Sequence, residues 1–275
     1  MREWKGRERQ MKHKLGFIGC GNMASAMIGG IVENQILHSE QIIASNRSEG
    51  KLKAIQQQYG IDVTTDNITV ATEAEIIVLA VKPIFYEDVI KEIAKNVKKS
   101  QIIVTIAPGI DLERIGYLFG QDMKIVRTMP NTPAMVGEGM TAACYNEYMT
   151  QEEVTEVCRI LDGFGKTELV PERLMDAVVA VSGSSPAYIY ILIEAMADAA
   201  VAEGMPRDQA YRFAAQSVLG SAKMVLETGK HPGELKDMVC SPGGTTIAAV
   251  QELERTGFRS SIMEAMKVCA DKCKK

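Results

Sequence analysis

Short, continuously apolar runs recur through the first half of the chain, and each is followed by a stretch with helical periodicity. Residues 15–18 read as a strand and 23–34 as a helix. Residues 42–45 read as a strand and 50–59 as a helix. Residues 75–81 form an apolar strand closed by Pro83, and 102–105 and 124–127 give two more. Runs that are apolar throughout fit strands covered on both faces, and strands alternating with helices predict a parallel sheet between helical layers. From residue 171 the strand patterns stop. Residues 185–203, 207–228 and 257–274 read as helices, the first rich in Ala, Ile and Met. A helix apolar nearly all round must be covered on all sides. About a hundred residues give little mass to cover it, so a second copy of the chain is expected to intertwine with this one. The predicted fold class is therefore α/β: a Rossmann-type, doubly wound parallel sheet followed by an all-helical dimerisation domain. No internal repeat or low-complexity linker is present.

Composition narrows the partners. The 275 residues are 46 % hydrophobic and 24 % charged, with a net charge of −4. This is an ordinary soluble balance, with no basic stripe for nucleic acid. The longest apolar stretch, 188–202, is broken by Glu194 and Asp198, which excludes a plain membrane span on this reading. Six cysteines occur with no C-x-x-C pair, and they read as free thiols in a reducing compartment. Cys269 and Cys273 would share a helix face, but no histidine lies near them, so no metal is expected. The first ten residues are polar, without the apolar core of a signal peptide. They are read as an extension ahead of a fold that starts at Met11, and a cytoplasmic location is the default expectation.

Gly19-Cys20-Gly21-Asn22-Met23-Ala24 is a G-x-G-x-x-A turn between the first predicted strand and helix. The first glycine permits the tight turn, the second lets backbone approach a pyrophosphate, and the small third residue lets helix and strand pack closely. The phosphates would sit on free N–H groups at the helix N-terminus. At the end of the second strand, Ser45-Asn46-Arg47-Ser48 offers hydroxyls, an amide and a guanidinium where an NAD enzyme commonly places an acid. That favours a 2′-phosphate, hence NADPH, with NADH a weaker alternative. Ala80-Val81-Lys82-Pro83 ends another strand on the ligand-binding edge of such a sheet. Ala107-Pro108-Gly109 and Met129-Pro130-Asn131-Thr132-Pro133 follow the next two strands. For the latter, simple chain reversal and a nicotinamide contact are equally open. Ile18 and Asn67 complete the expected cofactor set.

Two Gly/Ser-rich segments mark the helical region. One is Ser182-Gly183-Ser184-Ser185-Pro186-Ala187-Tyr188. The other is Ser241-Pro242-Gly243-Gly244-Thr245-Thr246, preceded by His231-Pro232-Gly233-Glu234-Leu235-Lys236-Asp237. Each is expected to lead into a helix, and the second offers bare N–H groups suited to a carboxylate. The three histidines do not supply an obvious acid or base. His13 and His38 are expected near the phosphate side of the first βα unit, and His231 in a loop. A 2-hydroxy-acid dehydrogenase, which needs such a group, is therefore disfavoured.

In these motifs and their order, the chain from Met11 to its C-terminus resembles the pyrroline-5-carboxylate reductases. The most specific part is HPGELKDMVCSPGGTTIAAVQELERTGFR, together with SGSSPAY, AVKP and MPNTP. The resemblance implies NADPH-dependent reduction of 1-pyrroline-5-carboxylate to L-proline, the last step of proline biosynthesis. It implies three segments: an extension at 1–10, an NADPH-binding Rossmann domain at 11–171, and a helical substrate-binding and dimerisation domain at 172–275. It implies an active site between the cofactor domain of one chain and the helical domain of its partner, in a homodimer that leaves an oligomer of dimers open. Ser241, Gly243, Gly244 and Thr245 would hold the substrate carboxylate, and Thr246 would place its hydroxyl on the ring nitrogen. Read from the residues alone, Thr246 could equally be a helix cap. The chain departs from the family pattern at Ser185 and at Pro108, which removes a backbone donor. Two other readings remain: a reductase of a related cyclic imino acid, and a non-catalytic dinucleotide-binding regulator.

Overall fold

The computed structural model describes residues 11–120 and 122–273, so the expected extension at 1–10 lies outside the described residues. The chain divides into two compact units, the first comprising the residues up to Gly183 together with Cys273 and the second running from Ser184 to Lys272.

The first unit is built on one eight-stranded sheet. Its elements in chain order are β1 (His13–Ile18), α1 (Asn22–Glu33), β2 (Ile42–Ser45), α2 (Glu49–Tyr59), β3 (Asp62–Thr64), α3 (Asn67–Glu73) and β4 (Ala74–Leu79). They continue with α4 (Tyr86–Ile93), β5 (Ile102–Thr105), α5 (Leu112–Phe119), β6 (Lys124–Met129), β7 (Gly139–Tyr145), α6 (Gln151–Leu161), β8 (Gly165–Leu169) and α7 (Met175–Val178). The strand order is β3-β2-β1-β4-β5-β6-β7-β8. The order reverses between β1 and β4, which pair in parallel with Phe17 opposite Val78.

Alternate residues of each strand feed two separate cores. Leu15, Phe17, Ile76, Val78 and Val104 pack with Met27, Ile28 and Ile31 of α1 and with Val157 and Ile160 of α6. Ile18, Ile77, Leu79 and Ile103 pack on the opposite face with Val70 of α3, Ile90 of α4 and Ile115 of α5. Each such Leu, Ile or Phe contributes about 1.5–3 kcal/mol relative to exposure. Side-chain caps fix several helix starts: Asp66 accepts from Ile68 N–H ahead of α3, and Thr150 and Glu153 form a reciprocal box ahead of α6.

The sheet differs from the expected one in a definite way. It is not parallel throughout: β7 runs antiparallel to β6, and β8 then pairs parallel with β7. Three strands escape the hydrophobic pattern. β3 is only three residues of intermediate burial, and β7 (GMTAACY) is built from small residues. β8 (GKTEL) is polar because it is an edge strand, exposed at most positions. His13 and His38 also sit elsewhere than expected. His13 opens β1, and His38 precedes the turn into β2, so both lie at the amino-terminal edge of the sheet. There His13 is buried and its Nε2 lies 2.9 Å from Asp62, a carboxylate also bound by Lys12 at 2.7 Å.

The second unit is helical: α8 (Ser185–Ala202), α9 (Arg207–Thr228), α10 (Pro232–Met238), α11 (Thr245–Arg255) and α12 (Phe258–Cys273). The helix α8 buries only Ala197 within this chain, while Tyr190 and Ile191 are 55 % and 64 % exposed. Phe213 and Leu226 of α9 and Met263 and Val268 of α12 are also exposed. The 31-residue helical run Glu172–Ala202 contains an 18-residue window of mean hydropathy 1.4, by length and composition alone apolar enough to cross a membrane. An apolar surface this large on a folded unit calls for a partner.

Candidate active site

The crevice at the carboxyl ends of β1 and β4 contains a cavity of about 210 Å3. This is the topological switch point, where open α/β sheets bind ligands. Gly19, Cys20 and Gly21 form its floor. Asn46 and Arg47 enter from the end of β2, Asn67 from the start of α3, and Ala80, Val81 and Lys82 from the end of β4. Two larger open grooves lie elsewhere on this unit. One of about 670 Å3 runs along the opposite edge of the sheet, and its Lys14 and Glu75 already satisfy each other at 2.9 Å. The other, of about 700 Å3, lies beside α5 and β7. Neither holds a glycine turn at a strand end, so the smaller cavity is the one with binding chemistry.

The glycine turn fits a dinucleotide on local geometry. Gly19 has φ +98°, and a Cβ there would meet the Ala80 carbonyl oxygen at 2.7 Å. Gly21 caps α1 without a side-chain hydrogen bond, and a Cβ built on it meets nothing within 4 Å. The first-turn N–H groups of α1 therefore face open space, as a pyrophosphate requires. Ala24 is buried against the sheet, as the small third residue should be.

Other expected cofactor residues play supporting parts. Ser45 is fully buried, and its hydroxyl donates to Asn67 Oδ1 at 2.7 Å. It is therefore not a free hydroxyl for a 2′-phosphate. Asn46 Oδ1 accepts from Cys20 N–H at 3.3 Å, bracing the glycine turn against the end of β2. Ile18 and Ala107 are buried core residues. Asn22, Met23 and Pro83 adjoin the cavity in sequence without lining it. Pro130 is buried, and Asn131 spends its amide internally: Nδ2 donates to Ser182 O at 3.0 Å, and Oδ1 accepts from Met140 N–H at 2.8 Å. The Asn131 amide thus ties the turn after β6 to the segments at Ser182 and Met140. Pro108 is exposed in the loop after β5.

Three residues that sequence reasoning passed over belong to this region. Lys51 and Phe85 line the cavity, and the Arg47 guanidinium lies 4.9 Å from the Phe85 ring centroid. Tyr86 lies beneath it, 1 % exposed. Its hydroxyl donates to Leu79 O at 2.6 Å and accepts from Ile106 N–H at 3.3 Å, tying the ends of β4 and β5 together. Burial pushes this phenol well above its ordinary value, so it stays neutral. Only the spacing of Lys51, four after Arg47, could have drawn notice. Replacing Tyr86 by Phe is expected to cost about 1–2 kcal/mol, because a buried carbonyl loses its donor. A denaturant melt checks the cost, and an unchanged midpoint would show that the hydroxyl carries no such load.

In the second unit, Ser241 to Gly244 close a turn in which Gly244 N–H donates to Ser241 O at 3.0 Å and Gly243 has φ +68°. Gly244 is the N-cap of α11, with no side-chain cap bond, and Thr245 and Thr246 are its first two helical residues. Both threonines are exposed. Thr246 is thus not a helix cap, contrary to the alternative read from sequence. The first-turn N–H groups and the Ser241 and Thr246 hydroxyls form a donor set for an anion. His231 caps α10, its Nδ1 accepting from Gly233 N–H at 3.0 Å. At the other motif, Ser185 begins α8, and Cys269 of α12 donates through Sγ to Ser184 Oγ at 3.2 Å.

Comparison with known proteins matches these two regions separately. Residues 172–275 match the family described as pyrroline-5-carboxylate reductase dimerisation. Residues 14–109, from β1 through β5, match NADP oxidoreductase, coenzyme F420-dependent. The pyrroline-5-carboxylate reductase of Escherichia coli (strain K12) is 50 % identical over 96 % of this chain and 98 % of its own length. That of Methanosarcina acetivorans is 44 % identical over 92 % and 94 %. Among solved structures, a pyrroline-5-carboxylate reductase from Coxiella burnetii superposes with a TM-score of 0.90 at 33 % identity, covering 96 % of this chain and 98 % of that one. The Plasmodium falciparum pyrroline carboxylate reductase with NADP bound gives 0.86 at 32 %, with the same coverage. A glycine turn open to a pyrophosphate, a helical unit matching a dimerisation domain, and relatives this similar over nearly their full length agree: the chain is an NADP-dependent oxidoreductase and belongs to the pyrroline-5-carboxylate reductase family.

Proposed function

We propose that this chain reduces 1-pyrroline-5-carboxylate to L-proline, as the last step of proline biosynthesis, in the cytoplasm and as an intertwined homodimer. The observation that carries the proposal is the uncapped Ser241–Thr246 turn opening α11, in a chain whose other unit carries the dinucleotide cavity. Residues 11–171 serve as the NADPH-binding domain and 172–275 as the substrate-binding and dimerisation domain. The exposed apolar faces of α8, α9 and α12 support a second copy as their cover.

NADPH, when bound, supplies the hydride that reduces the C=N carbon. The N–H groups of α1's first turn, with Gly19 to Met23, hold its pyrophosphate, and Arg47 faces its 2′-phosphate. The loops at Ala80–Pro83, Ala107 and Pro130–Asn131 shape the remainder of its site. Ser241 and the backbone of Gly243, Gly244 and Thr245 hold the substrate carboxylate through charge-assisted hydrogen bonds. The Thr246 hydroxyl hydrogen-bonds the ring nitrogen, which ends the reaction as an amine. No histidine is needed, because an imine nitrogen can arrive protonated. Most of the acceleration comes from holding the two reactants in contact.

The test mixes purified protein with NADPH and pyrroline-5-carboxylate and follows both nicotinamide absorbance and proline. Oxidation matched mole for mole by proline is expected. No oxidation, with NADPH bound, would overturn the proposal in favour of a six-membered cyclic imino acid or a binding-only role.

A further inference from the structure

Two of the sequence motifs, MPNTP and SGSSPAY, meet at one buried amide. Asn131 is 8 % exposed and sits at the N-cap of the 3-10 helix Thr132–Val136, yet its side chain makes no cap bond there. Its Nδ2 instead donates to Ser182 O at 3.0 Å, and its Oδ1 accepts from Met140 N–H at 2.8 Å. A backbone carbonyl only accepts and an N–H only donates, so these partners fix which way the amide points. Ser182 lies in a π-turn, Val179–Gly183, between α7 and α8. Such turns are rare and recur at functional sites. The helical partner of the Ser182 carbonyl would be the N–H four residues on, but that residue is Pro186, which has none. The next N–H, of Ala187, donates to Ser184 O at 3.1 Å. Asn131 thus supplies the donor that the helix lacks. Gly183 permits the close approach, since a Cβ there would meet Met129 Cε at 2.7 Å.

We infer that Asn131 is a positioning residue, a role that rests on the reduction proposed above. By replacing the N–H that Pro186 cannot offer, it fastens the π-turn to the end of β6 and holds the Pro130 loop in the shape the reaction needs. A carboxamide suits this task because it donates and accepts at the two tips of one planar group. Asn131→Asp keeps an acceptor for Met140 N–H and loses the donor to Ser182 O. Pro186→Ala returns a donor to the helix itself, which makes the one on Asn131 dispensable.

The test reads the fastening and the reaction separately. Asn131→Asp, Pro186→Ala and the double variant are compared with wild type by amide hydrogen exchange, NADPH titration and steady-state kinetics, all at about pH 8, where an aspartate has no proton to donate. In Asn131→Asp, exchange across residues 179–187 is expected to rise about tenfold, the scale of one buried hydrogen bond, while the Met140 amide stays protected. A small misplacement of the reacting groups is expected to lower kcat about tenfold, with NADPH affinity unchanged. The double variant is expected to recover both exchange and rate, and Pro186→Ala alone to match wild type. Unchanged exchange in Asn131→Asp overturns the fastening. Faster exchange with an unchanged kcat overturns the positioning role. A double variant as impaired as Asn131→Asp overturns the part given to Pro186. Should Asn131→Asp fail to fold, the double variant is expected to fold, and its failure also overturns the proposal. If the wild-type protein reduces no pyrroline-5-carboxylate, the proposed reaction and the positioning role fall together, and the exchange measurement alone decides the fastening.

Discussion

Replacing Thr246 by alanine lowers kcat for imine reduction by about 100-fold, the low end for a group placed on a proton-transfer position. NADPH binding should be untouched, since Thr246 lies outside the cavity at the β1–β4 switch point. Stability should also hold. Gly244, not Thr246, is the N-cap of α11, and no side-chain cap bond is there to lose. The threonine is exposed, so its removal should shift folding by no more than about 0.5 kcal/mol. The measurement is steady-state kinetics beside a thermal melt. A rate near wild type would remove Thr246 from the chemistry and leave orientation by the Ser241–Thr245 turn as the source of catalysis. A rate loss accompanied by an equal loss of melting temperature would assign it a structural role instead.

The second large effect separates two glycines two residues apart. Gly19→Ala forces a Cβ against the Ala80 carbonyl at 2.7 Å from a backbone at φ +98°. Left-handed strain of about 1–2 kcal/mol and overpacking of about 1–3 kcal/mol add, because carbonyl and turn are both fixed. The Ala80 N–H donates to Ile18 O at 2.8 Å, so the obstructing peptide cannot withdraw without breaking the β1–β4 junction. The expected result is a protein destabilised by roughly 2–5 kcal/mol with weakened NADPH binding. Gly21→Ala behaves otherwise. Its Cβ meets nothing within 4 Å, so the fold should keep its stability. The methyl group would stand where backbone must approach the pyrophosphate, so NADPH affinity should fall by about 100-fold, or about 2.7 kcal/mol. Chemical denaturation and NADPH titration of both variants decide the matter. Equal behaviour of the two would show that the turn does not divide its labour in this way.

Much of the first unit was legible from local pattern. Strands β1, β2, β4, β5 and β6 announce themselves because a strand covered on both faces must be apolar at consecutive positions. The glycine turn was legible because a tight strand-to-helix junction that admits phosphate restricts residue type at fixed offsets. Helices α8, α9 and α12 were legible from their helical patterns, and the nearly all-round apolarity of α8 carried its need for a covering partner. The strands that escaped did so for local reasons. β7 is made of small residues, which fit helix or loop equally well, and β8 carries charges that only an edge position tolerates.

What the sequence by itself determined is strands β1, β2, β4, β5 and β6, helices α1, α2, α8, α9 and α12, the open turns at Gly19–Gly21 and Ser241–Thr246, and the family motifs. Each depends on neighbours a few residues away, and backbone preferences act at that range. Only the tertiary structure decided which side chains face the cavity. Ser45 turned inward to Asn67, Asn131 spent its amide on Ser182 and Met140, and Tyr86 joined β4 to β5 from beneath. Arg47 and Lys51 came to share one space with Phe85, from a segment more than thirty residues away in sequence. Hydrogen-bond satisfaction settles such pairings, since a buried polar group takes whichever partner the packed chain brings within reach. Periodicity along the chain holds no record of that choice.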